Sequence, residues 1–342
     1  VYKTCLFKTI IFEFGYSLKL PACLSQTVTC SKKMTNQKDE VKKKVEIRNP
    51  GPLLNLSDKC MNIFPNLFDG FRIIVHRSLS HHFRVSHSIY LSSITPGNYR
   101  FGATYVGNKM TGDHEGVPVM FGDIDSSGNM NASIYHLFGS RFKIRFDGQM
   151  ENTSFVTSQL TTHYFGNTFT ASAVLANANI IKKSGCLLLQ FLQNVTPNLA
   201  LGAELAFFRN LVNNKYPEKT VMNATESQVA IVGRYTTAHT VWSTVFSLNN
   251  VLLSCYKQAS DQIEFGIELN TNFRSNESVG SLAYKVKLQN RGIVVRGCVD
   301  TNTNIGSVFE KRICGSPFSF SVSANLNHRT SNFRLGLGFI IE

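Results

Sequence analysis

The sequence predicts an all-β chain: a transmembrane β-barrel of about 19 strands with a short helix inside its lumen. All neighbouring strands are expected antiparallel except the first and last, which meet as a parallel pair. Three observations carry this. From residue 71 onward, apolar and polar side chains alternate with period two in stretches of about ten residues, the length of a tilted membrane-crossing strand. Most stretches are joined by two to six residues rich in Asn, Gly, Ser and Asp, as hairpin turns require. The 342 residues are 43% hydrophobic, yet mean hydropathy is only −0.06. No run approaches the roughly 20 apolar residues of a membrane-spanning helix, which excludes a helical membrane protein. A membrane barrel stays open, because lipid-facing and lumen-facing residues average out along each strand.

Residues 1–48 come first and read as a disordered basic leader, with ten Lys/Arg against four Asp/Glu. The chain opens with Val, and residues 1–31 show no clear organisation. They are read as untranslated sequence ahead of a true start at Met34, or as a crude signal or transit peptide around Leu6 to Phe14. Residues 49–70 follow as a helix and linker. The turn Asn-Pro-Gly-Pro at 49–52 precedes Leu53, Leu56, Cys60, Ile63 and Phe64, whose spacing makes one helical stripe that Pro65 ends.

Residues 71–342 form the barrel. In 263–270, Ile263, Phe265, Ile267 and Leu269 share one face and Glu264, Gly266, Glu268 and Asn270 the other. In 318–327 the apolar face is Phe318, Phe320, Val322, Ala324 and Leu326, against Ser319, Ser321, Ser323, Asn325 and Asn327. About 19 such stretches run from 71–79 to 332–341. Several are ambiguous, two above all, at 240–249 and 304–313, with apolar residues on both faces. A soluble β-sandwich is the alternative, but its strands are typically five or six residues long. It would also have to bury all of these apolar faces in one core. Closure in lipid pairs every backbone group and leaves the polar faces lining water.

The formal charge of +13 is compatible with nucleic acid or anionic lipid, but no base-stacking platform or nucleic-acid signature accompanies it. The eight cysteines are scattered without metal-ligand spacing, as for free thiols in a reducing compartment. The nine histidines form no metal motif, and no nucleophile elbow or phosphate loop is present, so neither enzyme, cofactor nor metal is expected. His87 falls on the lipid face, marking either a local bulge or a contact with another subunit.

Several segments resemble the channel subunit of the translocase of the outer mitochondrial membrane. They include NPGP at 49–52, LSHHFRVSHS at 79–88, NYRFGATYVG at 98–107 and GDIDSSGNMNA at 122–132. QNVTPNLALGAEL at 193–205, YKQASDQIEFGIE at 256–268, GCVDTN at 297–302 and LNHRTSNFRLGLGFII at 326–341 extend the likeness across the barrel. The basic leader and exchanges near 177–185 and 210–225 mark a divergent copy. The resemblance implies a protein-conducting channel of the mitochondrial outer membrane that passes precursor proteins. It further implies a single-span receptor and small helical subunits as partners, a lipid surround and a dimer or higher oligomer. A related metabolite porin is the alternative; it would place its helix almost at its N-terminus and favour a basic lumen.

The resemblance also gives residues roles. Arg334, Gly336, Phe339 and Ile341 fit a C-terminal barrel-assembly signal. Cargo presequences of the family are basic amphipathic helices, so acids are expected to face the lumen. Alternation puts Glu204, Glu264, Glu268 and Asp300 inward, and Asp147 with them if Phe142, Ile144 and Phe146 face lipid. Asp123 and Asp125 lie near a strand end and mark an entrance or exit. These acids either make a weak electrostatic track or pair with lumenal Arg100, Arg234, Arg296 or Lys285.

Overall fold

The computed structural model describes residues 48–94, 96–111, 115–151, 154–179, 184–209, 225–288, 291–313 and 315–342. The leader expected over 1–48, with its start at Met34, lies outside these residues apart from Arg48, as do 210–224.

Nineteen strands follow a short lumenal segment. They begin with β1 (Gly70–Ser78), β2 (Phe83–Leu91), β3 (Asn98–Thr111), β4 (Glu115–Asp125) and β5 (Met130–Phe138). Next come β6 (Phe142–Glu151), β7 (Ser154–Phe165), β8 (Phe169–Asn179), β9 (Ser184–Asn194) and β10 (Leu199–Arg209). Then follow β11 (Thr225–Thr236), β12 (Thr240–Ser247), β13 (Asn250–Gln258), β14 (Ile263–Asn272) and β15 (Glu277–Leu288). The last are β16 (Ile293–Asp300), β17 (Asn304–Arg312), β18 (Phe318–Asn327) and β19 (Asn332–Ile341).

Each strand pairs antiparallel with the next, and β1 pairs parallel with β19 from Gly70 opposite Gly336 to Val75 opposite Ile341. An odd strand number forces that seam, since β1 and β19 run the same way across the sheet. Among the described residues no helix is long and apolar enough to cross a membrane; the strands do the crossing.

Burial is inverted relative to a water-soluble protein. In β14, Phe265 and Ile267 are 41% and 49% exposed, whereas Glu264 and Glu268 are 9% and 7% exposed. Apolar side chains therefore point out to lipid and polar ones inward. The turns use the chemistry their short loops demand. Asp125 accepts hydrogen bonds from the Ser127 and Asn129 amides, both at 2.9 Å, where Gly128 takes a left-handed φ of +85°.

The bulge considered at His87 is absent. β2 pairs residue for residue with β1 and β3, so period two carries His87 onto the lipid face. There its Nδ1 meets the Tyr99 hydroxyl at 2.7 Å and its ring packs 5.2 Å from Phe101. Register shifts occur elsewhere, between Val106 and Lys109, Gln149 and Met150, and Ala176 and Asn179.

The lumenal segment is not the continuous helix that its apolar stripe suggests. It forms a 3₁₀ turn at Leu53–Asn55 and a single α-turn, α1 (Asp58–Met61), separated at Ser57, whose φ and ψ of −105° and 7° leave the helical region. The wall explains the break. Leu53 and Leu56 pack on Leu192, Ala200 and Val232 of β9–β11, with Val245 of β12 against them. Cys60 and Ile63 rest instead over Gly266 of β14, where an added Cβ would lie 3.2 and 3.3 Å from them. A straight helix cannot follow a concave wall, whereas two short pieces can. Leu53, Leu56, Cys60 and Ile63 are buried, and Phe64 is half-buried.

Wall groups satisfy the segment's polar backbone where helix bonds are missing. The Asn49 amide donates to the Gly166 and Phe169 carbonyls at 2.7 and 2.8 Å, and its oxygen accepts from the Thr170 hydroxyl at 2.8 Å. Asn194 donates to the Arg48 carbonyl and Arg234 to the Pro50 carbonyl, at 2.5 and 2.6 Å. At the other end the Phe68 amide donates to Ser323 Oγ at 3.1 Å, and Arg72 lies 4.1 Å over the Phe68 ring.

Gly336 gives Phe68 its room: a Cβ there would collide with the Phe68 carbonyl and ring. We predict that Gly336→Val lowers folding stability in micelles by about 1–3 kcal/mol through overpacking. Leu337→Val, on the lipid face one residue on, should cost less than about 1 kcal/mol. Denaturant midpoints for the two variants check this.

Candidate functional site

Period-two alternation and ladder register together place the inner wall. Lys143, His163, Ser172, Gln190 and Glu204 stand opposite one another on β6, β7, β8, β9 and β10, making one polar row across five strands. His163 Nδ1 meets Ser172 Oγ at 2.7 Å, and Gln190 Nε2 donates to Glu204 Oε2 at 2.8 Å. Toward the next turn the inner face becomes apolar at Leu192 and Val232, where Leu53 and Leu56 cover it.

Three of the acids singled out from the sequence, Glu264, Asp147 and Asp123, are held by neighbouring cations. Glu264 pairs with Lys287 at 2.5 Å and Lys285 at 3.7 Å, two bases of the adjacent strand β15. Asp147 is 3% exposed and paired with Arg145 Nε at 2.8 Å. Its neighbours Phe142 and Phe146 are exposed on the lipid side. Asp123 meets Arg100 at 3.6 Å and accepts from Asn131 Nδ2 at 2.8 Å.

Two expected acid partners act elsewhere. Arg234 spends its guanidinium on the Pro50 carbonyl, and Arg296 pairs with Glu310 at 2.7 Å, across β16 and β17. Asp300 and Asp125 brace turns: Asp300 accepts from the Asn304 amide and side chain, both at 2.9 Å, as Asp125 does from Asn129. Glu204 differs from the paired acids in that its partner Gln190 is a neutral amide. Glu268 is buried on the inward face of β14, near Cys60.

At the C-terminus, Arg334 is exposed and Gly336 is buried beneath Phe68. Phe339 faces out between Phe71 and Phe320, with ring centroids 5.7 and 5.2 Å away, and Ile341 ends the seam opposite Val75.

Burial pushes the Cys60 thiol up to about 12, reinforced by the Glu268 charge, so this cysteine is an unreactive apolar filler. Among the described residues no group of three His, Cys, Asp or Glu is placed to hold a metal ion.

Gln190, Arg145, Lys287 and Glu310 were not singled out from the sequence, although each lies inward by simple parity. For Gln190, Lys287 and Glu310 register supplied the missing information, because only the ladders show which inward residues of different strands are neighbours; Arg145 lies two residues from Asp147 on one strand.

A closed ring of strands with apolar flanks outside and paired charges inside defines a membrane-embedded β-barrel of the channel type. A model of the eukaryotic porin family matches residues 49–336, and the chain belongs to that family. Within it, the chain is 40% identical over 302 residues to mitochondrial import receptor subunit TOM40 homolog 2 of Drosophila melanogaster, covering 87% of this chain and 86% of the fly protein. It is 35% identical to the TOM40 homolog of Xenopus tropicalis over 324 residues, 94% of this chain and 90% of that one. The TOM40 homolog of Homo sapiens is 34% identical over 293 residues, 86% of this chain and 78% of the human protein.

The Glu264 pairs yield a prediction. Glu264→Gln leaves Lys285 and Lys287 without their common partner, so the pore should shift toward anions and lose about 1–3 kcal/mol of stability. Reversal potentials across a salt gradient and denaturant midpoints measure the two effects.

Proposed function

We propose that this chain is a protein-conducting channel of the mitochondrial outer membrane, a multi-pass β-barrel through which precursor polypeptides cross. One observation carries the proposal. The similarity to import receptor subunits covers 86–94% of the chain, and its barrel closes with a polar-lined interior at that full length. A ring of this strand number encloses an aqueous passage. A helix with its side chains is about 10–12 Å across, the size of cargo such a passage has to admit.

The lumen supports weak, reversible contact rather than tight binding. Glu264, Asp147 and Asp123 are already offset by bases, so a basic presequence exchanges partners there instead of falling into an open negative field. Glu204, whose side chain meets the neutral amide of Gln190, is the acid assigned to presequence contact. Charge reversal of Glu204 should slow import of a basic presequence more than import of an internally targeted carrier. Equal slowing of the two cargoes would reject the acidic track.

The direct test of the channel is a bilayer recording of purified protein with a presequence peptide added. Cation preference with peptide-induced block is expected, whereas anion preference without block would indicate a metabolite porin.

Partner subunits with single membrane spans fit the outer surface. A groove on β6–β10 has small side chains at its floor, Thr162, Ala171, Ala173 and Ala203, between Phe142, Tyr164 and Phe191. Small floors let a helix approach closely in lipid, where packing rather than the hydrophobic effect drives association. Ala173→Leu should fill the groove and reduce co-purification of a single-span subunit while leaving pore conductance unchanged.

A further inference from the structure

The lumenal segment has two faces of opposite composition. Leu53, Leu56, Cys60 and Ile63 are buried against the wall, while Asn55, Asp58, Lys59, Asn62 and Asn66 are exposed. Inside a closed ring, that exposed face meets the water of the passage. Three of these five residues are asparagines and their charges are one of each sign; Leu67, 37% exposed, is the apolar residue beside them.

What the segment hides is the opposite kind of surface. Beneath it lie Leu192, Ala200, Val232 and Val245, an apolar sector of the inner wall. An unfolded polypeptide carries apolar side chains, and full burial of one is worth about 1.5–3 kcal/mol. A bare stripe of this kind would hold passing chains. An amide surface, by contrast, trades its water for backbone hydrogen bonds at little net gain.

The cover is also fixed in place. Asn49 and Arg234 hold its start, Cys60 Sγ lies 3.5 Å from the Cys255 and Ile267 carbonyls, and Ser323 and Gly336 seat Phe68 at its end. A segment anchored along its length is part of the wall.

We propose that Asn55, Asp58, Lys59, Asn62 and Asn66 form a low-adhesion sliding surface for unfolded polypeptide, making this face a specificity-determining lining of the pore. It rests on the channel reading above and adds the residues that set how weakly cargo is held.

The test uses the full-length channel in a planar bilayer, first with a cationic thiosulfonate reagent and then with a presequence peptide. In a background whose other cysteines are Ser, Asn62→Cys should lose conductance stepwise on reagent addition. Cys60 restored alone in that background should not respond, because it faces the wall. Lys59→Glu should raise cation preference and Asp58→Lys should lower it. Asn55→Leu with Asn62→Leu should lengthen each peptide-block event by about tenfold, as expected for one partly buried apolar side chain. Failure of reagent or charge changes to alter the current would show that the face does not line the pore. Block times unchanged by the two leucines, in channels the peptide still blocks, would overturn the sliding role and leave the channel intact. Unaltered channels that ignore the peptide would overturn the channel reading, and this assignment with it.

Discussion

Hydrocarbon offers no hydrogen bonds, so each backbone N–H and C=O that enters it must find a partner within the protein. A ring of ladders meets that demand, and the remaining architecture follows. Nineteen strands running alternately up and down leave the first and last pointing the same way, hence the parallel pairing of Gly70–Val75 with Gly336–Ile341. The lumenal segment faces the same demand in milder form. With only one 3₁₀ turn and one α-turn of its own, it borrows partners from the wall through Asn49, Asn194, Arg234 and Ser323.

The same ladders organise the interior. Glu264 with Lys285, and Arg296 with Glu310, are side chains brought close because their strands are neighbours. Asp147 with Arg145 is a pair two residues apart on one strand, which period two places on one face. The inner wall is thus charged yet locally balanced. Its apolar sector at β9–β12 lies beneath a polar-faced segment. Balance and cover work toward one end: a passage that wets easily and binds little.

Much of the fold was legible because strand periodicity depends only on residue type and position. The ten-residue alternation of 263–270 and 318–327 reports lipid on one side and water on the other. The two ambiguous stretches show where that logic fails. Strand β12 reads as apolar on both faces because inward Val245 packs against the segment's leucine cluster. Strand β17 carries Gly306 inward, where an added Cβ would come within 2.6 Å of Leu67. A one-dimensional pattern has no means of knowing that part of a lumen is dry. The helix at 49–64 was overextended for a related reason: Leu53, Leu56, Cys60 and Ile63 keep helical spacing, yet wall curvature splits the element at Ser57. Among the acids, parity placed Glu204 and Glu264 inward. Their partners Gln190 and Lys287 lie on other strands, and no spacing within one strand identifies them.

The parallel seam has a consequence for how the molecule is built. Its two edges lie at opposite ends of the barrel sequence, so the ring stays open until β19 has been delivered. Until then β1 presents one edge without its neighbour, at a cost of several kcal/mol for each unsatisfied group in lipid. An unfinished copy must either wait outside the bilayer or lean on a foreign strand edge that lends hydrogen bonds and withdraws when β19 arrives. Delivery of β19 and closure of the pore are, for this topology, a single event.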